Sequence, residues 1–208
     1  MKFLSMLTAA MLLLPCVFAQ QPGAVLAKPS VEELRELAQE PHDRRGLMPE
    51  LEIFPDVRLY EFEMEGGDAE GNNWKTPKIR IKEKVIAGSI VLSTWRIPGA
   101  EEDSIMAVTW SAESRCYMKW LVVVVPFPDE IPDDERPKVE VTEFRGVSLE
   151  GSDVIAWRSF EREGAARNVG IERQGKDRVD FNDATYLEGK LIQWTKGHAI
   201  HLKKGDSE

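Results

Sequence analysis

Ligand chemistry is best supported in one stretch of this sequence, residues 66–77, which read Gly-Gly-Asp-Ala-Glu-Gly-Asn-Asn-Trp-Lys-Thr-Pro. The stretch is longer than a tight hairpin needs, and it carries a tryptophan among glycine and asparagine, where folding alone does not require one. We therefore predict that Asn72, Asn73 and Trp74 contact a ligand. The alternative is that Trp74 folds back as a lid over the end of a sheet.

The acidic residues of the same stretch alternate in the way that a calcium-binding loop begins. Asp68, Glu70 and Asn72 would be the first, third and fifth positions of such a loop. The sixth position, which needs glycine, is Asn73, and the twelfth, which needs glutamate, is Ile79, so the EF-hand pattern fails. We therefore predict no metal ligand and no cofactor, and a looser calcium site stays open as the alternative.

Catalytic motifs are absent from the sequence. It contains no nucleophile elbow, Walker loop, dinucleotide-binding glycine pattern, HExxH or paired CxxC. His198 and His201 are three residues apart, so on a strand they face opposite sides and do not share a metal ion. We predict no catalytic residue. Two carboxylates from different strands would leave no local signature, however, so carboxylate-based hydrolysis stays open.

Two segments that flank the ligand-binding stretch predict a pair of strands. In 57–65 three glutamates alternate with apolar residues, and in 78–85 four cations alternate with a largely apolar face. We predict an antiparallel pair with its charges facing solvent, because opposite charges across a pair are favourable and a one-residue slip would bury them. The predicted register sets these residues opposite each other: Glu65 and Lys78, Glu63 and Arg80, Glu61 and Lys82, Met64 and Ile79, Phe62 and Ile81.

Residues 115–126, Arg-Cys-Tyr-Met-Lys-Trp-Leu-Val-Val-Val-Val-Pro, predict a buried central strand. The run is too short to cross a membrane, and its four valines are β-branched. Cys116 is the only cysteine after residue 19, which leaves it no internal disulfide partner, and we expect a buried thiol. The chain has six tryptophans, of which we expect four or more to be buried and Trp74 to be exposed.

The rest of the chain also predicts strands, separated by turn signals at the spacing typical of all-β folds. One turn, Lys196-Gly197, is expected to join 191–195 to 198–202 as a tight hairpin. The proline-rich acidic segment 126–137 is expected to be a loop that guards a sheet edge, and it could instead hold a cation or a basic partner. The predicted fold is therefore all-β, a mainly antiparallel β-sandwich or flattened barrel of about ten strands with one short N-terminal helix.

The N-terminus is typical of an export signal. A positive residue and an apolar run precede a small-residue cleavage site that ends at Ala19. Ser30 and Glu33 form a capping box that predicts the start of the helix. Cys16 invites a lipid anchor, which the preceding proline disfavours. The expected organisation is a signal peptide at 1–19, a flexible tether with a short helix (30–40) at 20–50, and a single β domain at 51–205.

The charge balance excludes some classes of partner. The chain has 36 acidic and 27 basic residues, a formal net charge of -9, so we expect neither nucleic acid nor anionic lipid as a partner, and no membrane insertion after signal cleavage. We predict a secreted or periplasmic soluble protein that acts by binding or scaffolding, with an unknown protein or glycan as its ligand. The alternatives are a glycan-binding module or small carbohydrate-active enzyme, and a calcium-stabilised adhesion protein.

Overall fold

The computed structural model describes residues 27–56, 58–127, 131–132, 136, 138–148, 152–159 and 167–202. The expected signal peptide and the acidic residues of the 126–137 loop lie outside the described residues. The domain boundaries expected from the sequence stay a prediction. No helix in the described ranges has the length and apolar character needed to cross a membrane.

The described part of the chain folds into a closed barrel of ten strands with one extra strand and one short α-helix, which confirms the predicted all-β class and selects the barrel over the sandwich. All strand pairs in the described part of the chain are antiparallel, and consecutive strands are neighbours except where β2 branches from β1. The strands are β1 Leu59–Asp68, β2 Asn73–Lys75, β3 Ile79–Ile86, β4 Ile90–Trp95, β5 Ser104–Ser111, β6 Cys116–Val122, β7 Thr142–Ser148, β8 Val154–Ser159, β9 Arg167–Gln174, β10 Arg178–Leu187 and β11 Lys190–His201.

The barrel closes because β1 pairs with the last strand. The pairing runs from Tyr60 opposite His201 to Asp68 opposite Gln193. On its other side β1 pairs with β3 over its first half and with β2 near its end. Thr76 joins the two stretches, since its N–H donates to the Met64 carbonyl oxygen at 2.8 Å. Strands β2 and β3 therefore line β1 as one bent strand, interrupted where Pro77 has no N–H to donate.

The antiparallel pair predicted for the glutamate and cation segments forms, but its register was wrong, by two residues against β3 and by three against β2. Glu61 lies opposite Arg80 and not Lys82, while Glu65 lies opposite Lys75 and not Lys78. The cause is the irregularity at Thr76 and Pro77, which shortens the connection by pairing β2 with β1. A shift of two residues keeps every side chain on its face, so the glutamates still face outward.

The C-terminal strands differ from the prediction in length and in their turn. The segments 191–195 and 198–202, expected as two strands, belong to one long strand, β11, which is joined to β10 at Glu188 and Gly189, where the φ angles are positive, 50° and 78°. The hairpin predicted at Lys196-Gly197 was wrong, because both residues lie within β11. Gly197 serves close packing there, since a Cβ atom would lie 2.5 Å from the Phe181 ring.

Strand β6 is as buried as predicted, but it ends before the valine run does. Its last residue is Val122, and the side chains of Val123 and Val125 are 45% and 43% exposed. Between them, the Val124 N–H donates at 2.9 Å to the side-chain hydroxyl of Ser104 in β5 instead of to a backbone carbonyl of that strand. The run therefore leaves the barrel wall midway, and the closed barrel gives β6 no central position.

The helix, α1 Val31–Leu37, packs on the outer wall of the barrel. Its predicted capping box is present: Glu33 N–H donates to the Ser30 hydroxyl at 3.1 Å, and Ser30 N–H donates to the Glu33 carboxylate at 2.6 Å. Leu34 is fully buried in an outer apolar cluster that also holds Cys116, whose buried thiol confirms the prediction. Burial raises the pKa of that thiol. Further members of the cluster are Ile86, Leu92, Ala107, Met118 and Trp120.

A short 3-10 turn, Pro49–Ile53, closes one end of the barrel. Its Leu51 and the following Phe54 are buried against inward-facing side chains of β3 to β8. The Phe54 ring meets the Tyr117 ring edge to face at 6.0 Å, and the Tyr117 hydroxyl donates to the Glu50 carbonyl oxygen at 2.8 Å. This segment, residues 49–54, is called the plug below.

Candidate functional site

The interior of the barrel contains ionisable side chains from four strands. Because side chains alternate between the two faces of each strand, Glu83 of β3, Lys119 of β6, Glu172 of β9 and Asp183 of β10 all face inward. We call these four residues the interior charge cluster. Buried charges are costly unless they are paired or hydrogen-bonded, so each contact in the cluster bears on its role.

Lys119 is held by two aromatic rings and one carboxylate. Its Nζ lies 4.2 Å from the centroid of the Trp157 ring and 4.9 Å from that of Phe144. It lies 3.6 Å from a carboxylate oxygen of Glu172, which stands on the facing wall of the barrel. Ring faces and a carboxylate both stabilise an ammonium group, and only 8% of Lys119 is exposed.

Glu83 accepts hydrogen bonds from two hydroxyl groups. The Tyr60 hydroxyl donates to one carboxylate oxygen at 2.9 Å and the Ser93 hydroxyl to the other at 3.1 Å. Burial nevertheless raises the pKa of this carboxyl from 4.5 to about 7, with a smaller contribution from the charge of Glu172, and the two hydroxyls oppose the shift. Burial and the neighbouring Glu83 also raise the pKa of Tyr60.

Asp183 differs from Glu83 because no described side chain forms a hydrogen bond or ion pair with its carboxylate. Burial raises its pKa from 3.8 to about 6, the charge of Lys119 opposes that shift, and the charge of Glu172 adds to it. The carboxylate lies directly over Gly170, the residue opposite it on β9, where any side chain would collide with it.

The interior is filled at the plugged end and only partly filled elsewhere. Inward-facing residues near the plug are buried: Val85, Val91, Val108, Tyr117, Ile155 and Trp157. Other inward-facing residues are half-buried: Phe62, Met64, Ile81, Glu83, Phe181, Asp183 and Thr185. A side chain inside a closed barrel keeps accessible surface only where it borders space that a water molecule can enter. Three members of the interior charge cluster, Glu83, Glu172 and Asp183, therefore border space that a water molecule can enter, while Lys119 is buried.

Two buried polar atoms of the interior lack a hydrogen-bond partner in the described part of the chain. They are Nε1 of Trp157 and Nε2 of His201. Trp157 is 1% exposed, and His201 meets Tyr60 edge to face at 4.8 Å. An indole N–H without an acceptor costs free energy when it is buried, which makes it available to a ligand that brings one.

The residues predicted to bind a ligand lie at the end of the barrel opposite the plug. Both the backbone N–H and the side-chain amide of Asn72 donate to Asp68 at 2.8 Å, while the amide of Asn73 donates to the Gly71 carbonyl oxygen at 3.3 Å. Trp74 is 36% exposed, as expected, and its ring lies across the inward side of Gly66. Their role in ligand binding stays a prediction, and the placement of Trp74 agrees with the alternative of a lid.

A groove of about 690 Å³ is a second concave region; most of its lining side chains belong to the outer face of β1, β10 and β11, and the inward-facing residues Met64 and Phe181 also border it. Its charged side chains are paired with one another: Lys196 with Glu65 at 2.8 Å, Arg178 with Asp180 at 2.6 Å, and Lys75 with Glu63. His198 lines this groove whereas His201 faces the interior, so the two histidines lie on opposite faces as predicted. The described residues contain no group of three or more side chains that could hold a metal ion.

The expected burial of four or more tryptophans was wrong. Two of the six, Trp120 and Trp157, are buried, and three are half-buried. Those three, Trp95, Trp110 and Trp194, stand on barrel strands whose faces are only partly covered. Trp95 and Trp110 face the interior, where open space leaves part of each ring accessible, whereas Trp194 lies on the outer face, opposite Gly67 and Ala184.

Sequence reasoning missed the interior charge cluster, although a signal exists. Glu83 alternates with Ile79, Ile81 and Val85, so it is the one acid on the apolar face of its strand. Lys119 stands likewise within an apolar run. A charge at an inward position of a predicted strand is the pattern that would have found the site.

A scan against models of protein families finds no match, and a search among curated proteins finds no relative. The functional proposal below is therefore argued from the geometry of the barrel.

Proposed function

We propose that this protein is an exported binding protein that takes a small polar ligand into the interior of its barrel. The proposal rests on one observation above all: inward-facing ionisable side chains that are deeply enclosed still border open space. A barrel that needed only stability would fill that space with apolar side chains. The leader-like N-terminus supports export.

The ligand enters at the end opposite the plug, where Trp74 covers only part of the opening. The plug seals the other end with Leu51 and Phe54. Closed barrels of about this strand number are wide enough to hold one small ligand, which fits the space bordered by the interior charge cluster.

Filling the interior tests this proposal. In Ile81→Trp an inward, half-buried side chain is enlarged, whereas in the matched control Lys82→Trp the same ring is added to the outer face of the same strand. Binding of small aromatic compounds with a positive, neutral or negative group is measured by titration calorimetry. We expect at least a tenfold loss of binding in Ile81→Trp and less than a twofold change in Lys82→Trp.

Thr185→Phe repeats the filling from β10, in case Ile81→Trp does not fold. Melting temperatures of all variants show whether a loss of binding reflects a loss of structure. Equal binding by the folded filled variants and by the wild type would place any bound compound outside the barrel, and the proposal would then be abandoned.

A glycan ligand is the second candidate, favoured by the exposed ring of Trp74 beside two asparagines. Tryptophan fluorescence is recorded with a panel of soluble polysaccharides, for the wild type and for Trp74→Ala. A change with one polysaccharide that disappears in the variant supports this candidate. An unchanged spectrum with every polysaccharide leaves Trp74 as a structural lid.

A further inference from the structure

The charge of the interior favours a cationic ligand over an anionic one. The cluster contains three carboxyl groups and one ammonium group, so with all four ionised it carries a formal charge of about -2. Glu172 is paired with Lys119, and Glu83 is satisfied by two hydroxyls. Asp183 is the member whose negative charge has no described partner.

The protein already stabilises one ammonium group in this space. Lys119 Nζ lies against the rings of Trp157 and Phe144 and beside Glu172. Further rings face the same interior, among them Phe62 and Phe181, which stack with centroids 5.3 Å apart. Aromatic faces combined with carboxylates are the surroundings that favour organic cations.

An unpartnered hydrogen-bond donor, the Trp157 indole N–H, lies in register with Asp183 two strands away. Trp157, Gly170 and Asp183 lie opposite one another in register across β8, β9 and β10. The benzene edge of the Trp157 ring lies over Gly146 on the other side, 2.5 Å from where a Cβ atom would stand. The unpartnered Nε1 lies on the opposite edge of the ring from these atoms, away from Gly146.

We propose that the interior ligand is a small organic cation that also carries a hydrogen-bond acceptor, with its ammonium group at the Asp183 carboxylate and its acceptor at the Trp157 indole N–H. This inference rests on the proposed function, since it names the ligand class for the same site. A single bound molecule would satisfy the unpaired carboxylate and the unpaired donor, which lie in register on either side of Gly170, a residue without a side chain.

Four matched probes test the ligand class in the wild type. They are 2-amino-1-phenylethanol, phenethylamine, 1-phenylethane-1,2-diol and mandelate, which differ in the ammonium group and the hydroxyl around a common ring. Binding is measured by titration calorimetry at pH 8. At this pH the two amines are protonated, and the carboxyls of Glu83 and Asp183 are ionised. We expect the amino alcohol to bind at least tenfold more tightly than the diol and mandelate, and severalfold more tightly than phenethylamine.

Two pairs of variants locate the contacts. Asp183→Asn removes the interior charge, and Asp180→Asn removes a charge from the outer face of the same strand. Trp157→Phe removes the interior donor, and Trp120→Phe removes an unpartnered indole N–H from the outer cluster. We expect Asp183→Asn to weaken both amines at least tenfold and Trp157→Phe to weaken the amino alcohol alone. The two controls should change binding less than twofold.

The outcomes separate this inference from the proposed function. If the diol or mandelate binds as tightly as the amino alcohol and Ile81→Trp abolishes that binding, the ligand class is wrong and the interior site stands. If Asp183→Asn leaves the amines bound as before, the ammonium contact is wrong. If none of the four probes binds, or if binding is the same in Ile81→Trp, both proposals fail.

Discussion

Glu83 shows how neighbouring strands can supply hydrogen bonds to a buried carboxyl group without fully offsetting its loss of hydration. The hydroxyls of Tyr60 and Ser93 occupy both of its oxygens, yet its pKa rises to about 7. In the unfolded chain the same group has a pKa near 4.5. The folded protein therefore binds this proton more tightly than the unfolded chain does, and the free energy of unfolding falls as pH rises from about 4.5 through 7.

Replacing Glu83 by glutamine should remove this pH dependence. We expect Glu83→Gln to gain stability relative to the wild type between pH 4 and pH 8, by roughly 1–3 kcal/mol, because the variant has no carboxyl to ionise. Asp183, whose pKa rises from 3.8 to about 6, adds a parallel decrease that remains in the variant. Urea unfolding at pH 4 and pH 8 measures the difference.

Glu101→Gln is the control for Glu83→Gln, since Glu101 is an exposed loop residue. Its effect on the free energy of unfolding should be the same at both pH values. If Glu83→Gln also changes the free energy of unfolding by the same amount at pH 4 and pH 8, the Glu83 carboxyl is not buried as described.

At the scale of elements, α1 is attached to the barrel mainly through the side chain of Leu34. Leu34 is fully buried, while Glu36 of the same helix is exposed. We expect Leu34→Ala to cost about 2–5 kcal/mol in the free energy of unfolding, because the outer cluster would lose a buried leucine and gain a cavity. Urea unfolding of Leu34→Ala and of the control Glu36→Ala measures this cost.

A cost for Leu34→Ala within about 0.5 kcal/mol of that for Glu36→Ala would contradict the docking of α1 on the barrel wall. The helix would then contribute its own capping box and little else.

The sequence could predict which segments form strands and which side of each strand faces solvent, because these follow from alternation. It could not predict the register of β1 against β3, since the irregularity at Thr76 and Pro77 depends on β2 pairing with β1. It also suggested a turn at Gly197, where the glycine makes room for the Phe181 ring. Contacts between strands decide both features, and local patterns do not contain them.

The interior charge cluster could be predicted only in part, for a related reason. Its members are distributed over β3, β6, β9 and β10, and only the closed barrel brings them together. Reading charged positions as solvent-facing is correct for Glu61 and Glu63 and wrong for Glu83. The pattern around Glu83 shows that the acid is on the apolar face, but the sequence does not say which residues meet it there.

At the scale of the whole molecule, the plug fills the end of the barrel that the strands leave open. Phe54 is buried among inward-facing side chains, whereas Ile53 is half-buried. We expect Phe54→Ala to cost about 3–5 kcal/mol, since the loss of the ring leaves a cavity against Tyr117, and Ile53→Ala to cost clearly less. Urea unfolding distinguishes the two, and equal costs would show that the plug does not depend on Phe54.

The pairing of β1 with β11 also has a consequence for the order of folding. The Leu202 N–H donates to the Leu59 carbonyl oxygen, so residues more than 140 positions apart in the chain must meet before the last seam is complete. Contacts of such long range slow folding, and the wall cannot close until the final strand has left the ribosome. A chain whose last seam joins its first and last strands completes its barrel only after synthesis has ended.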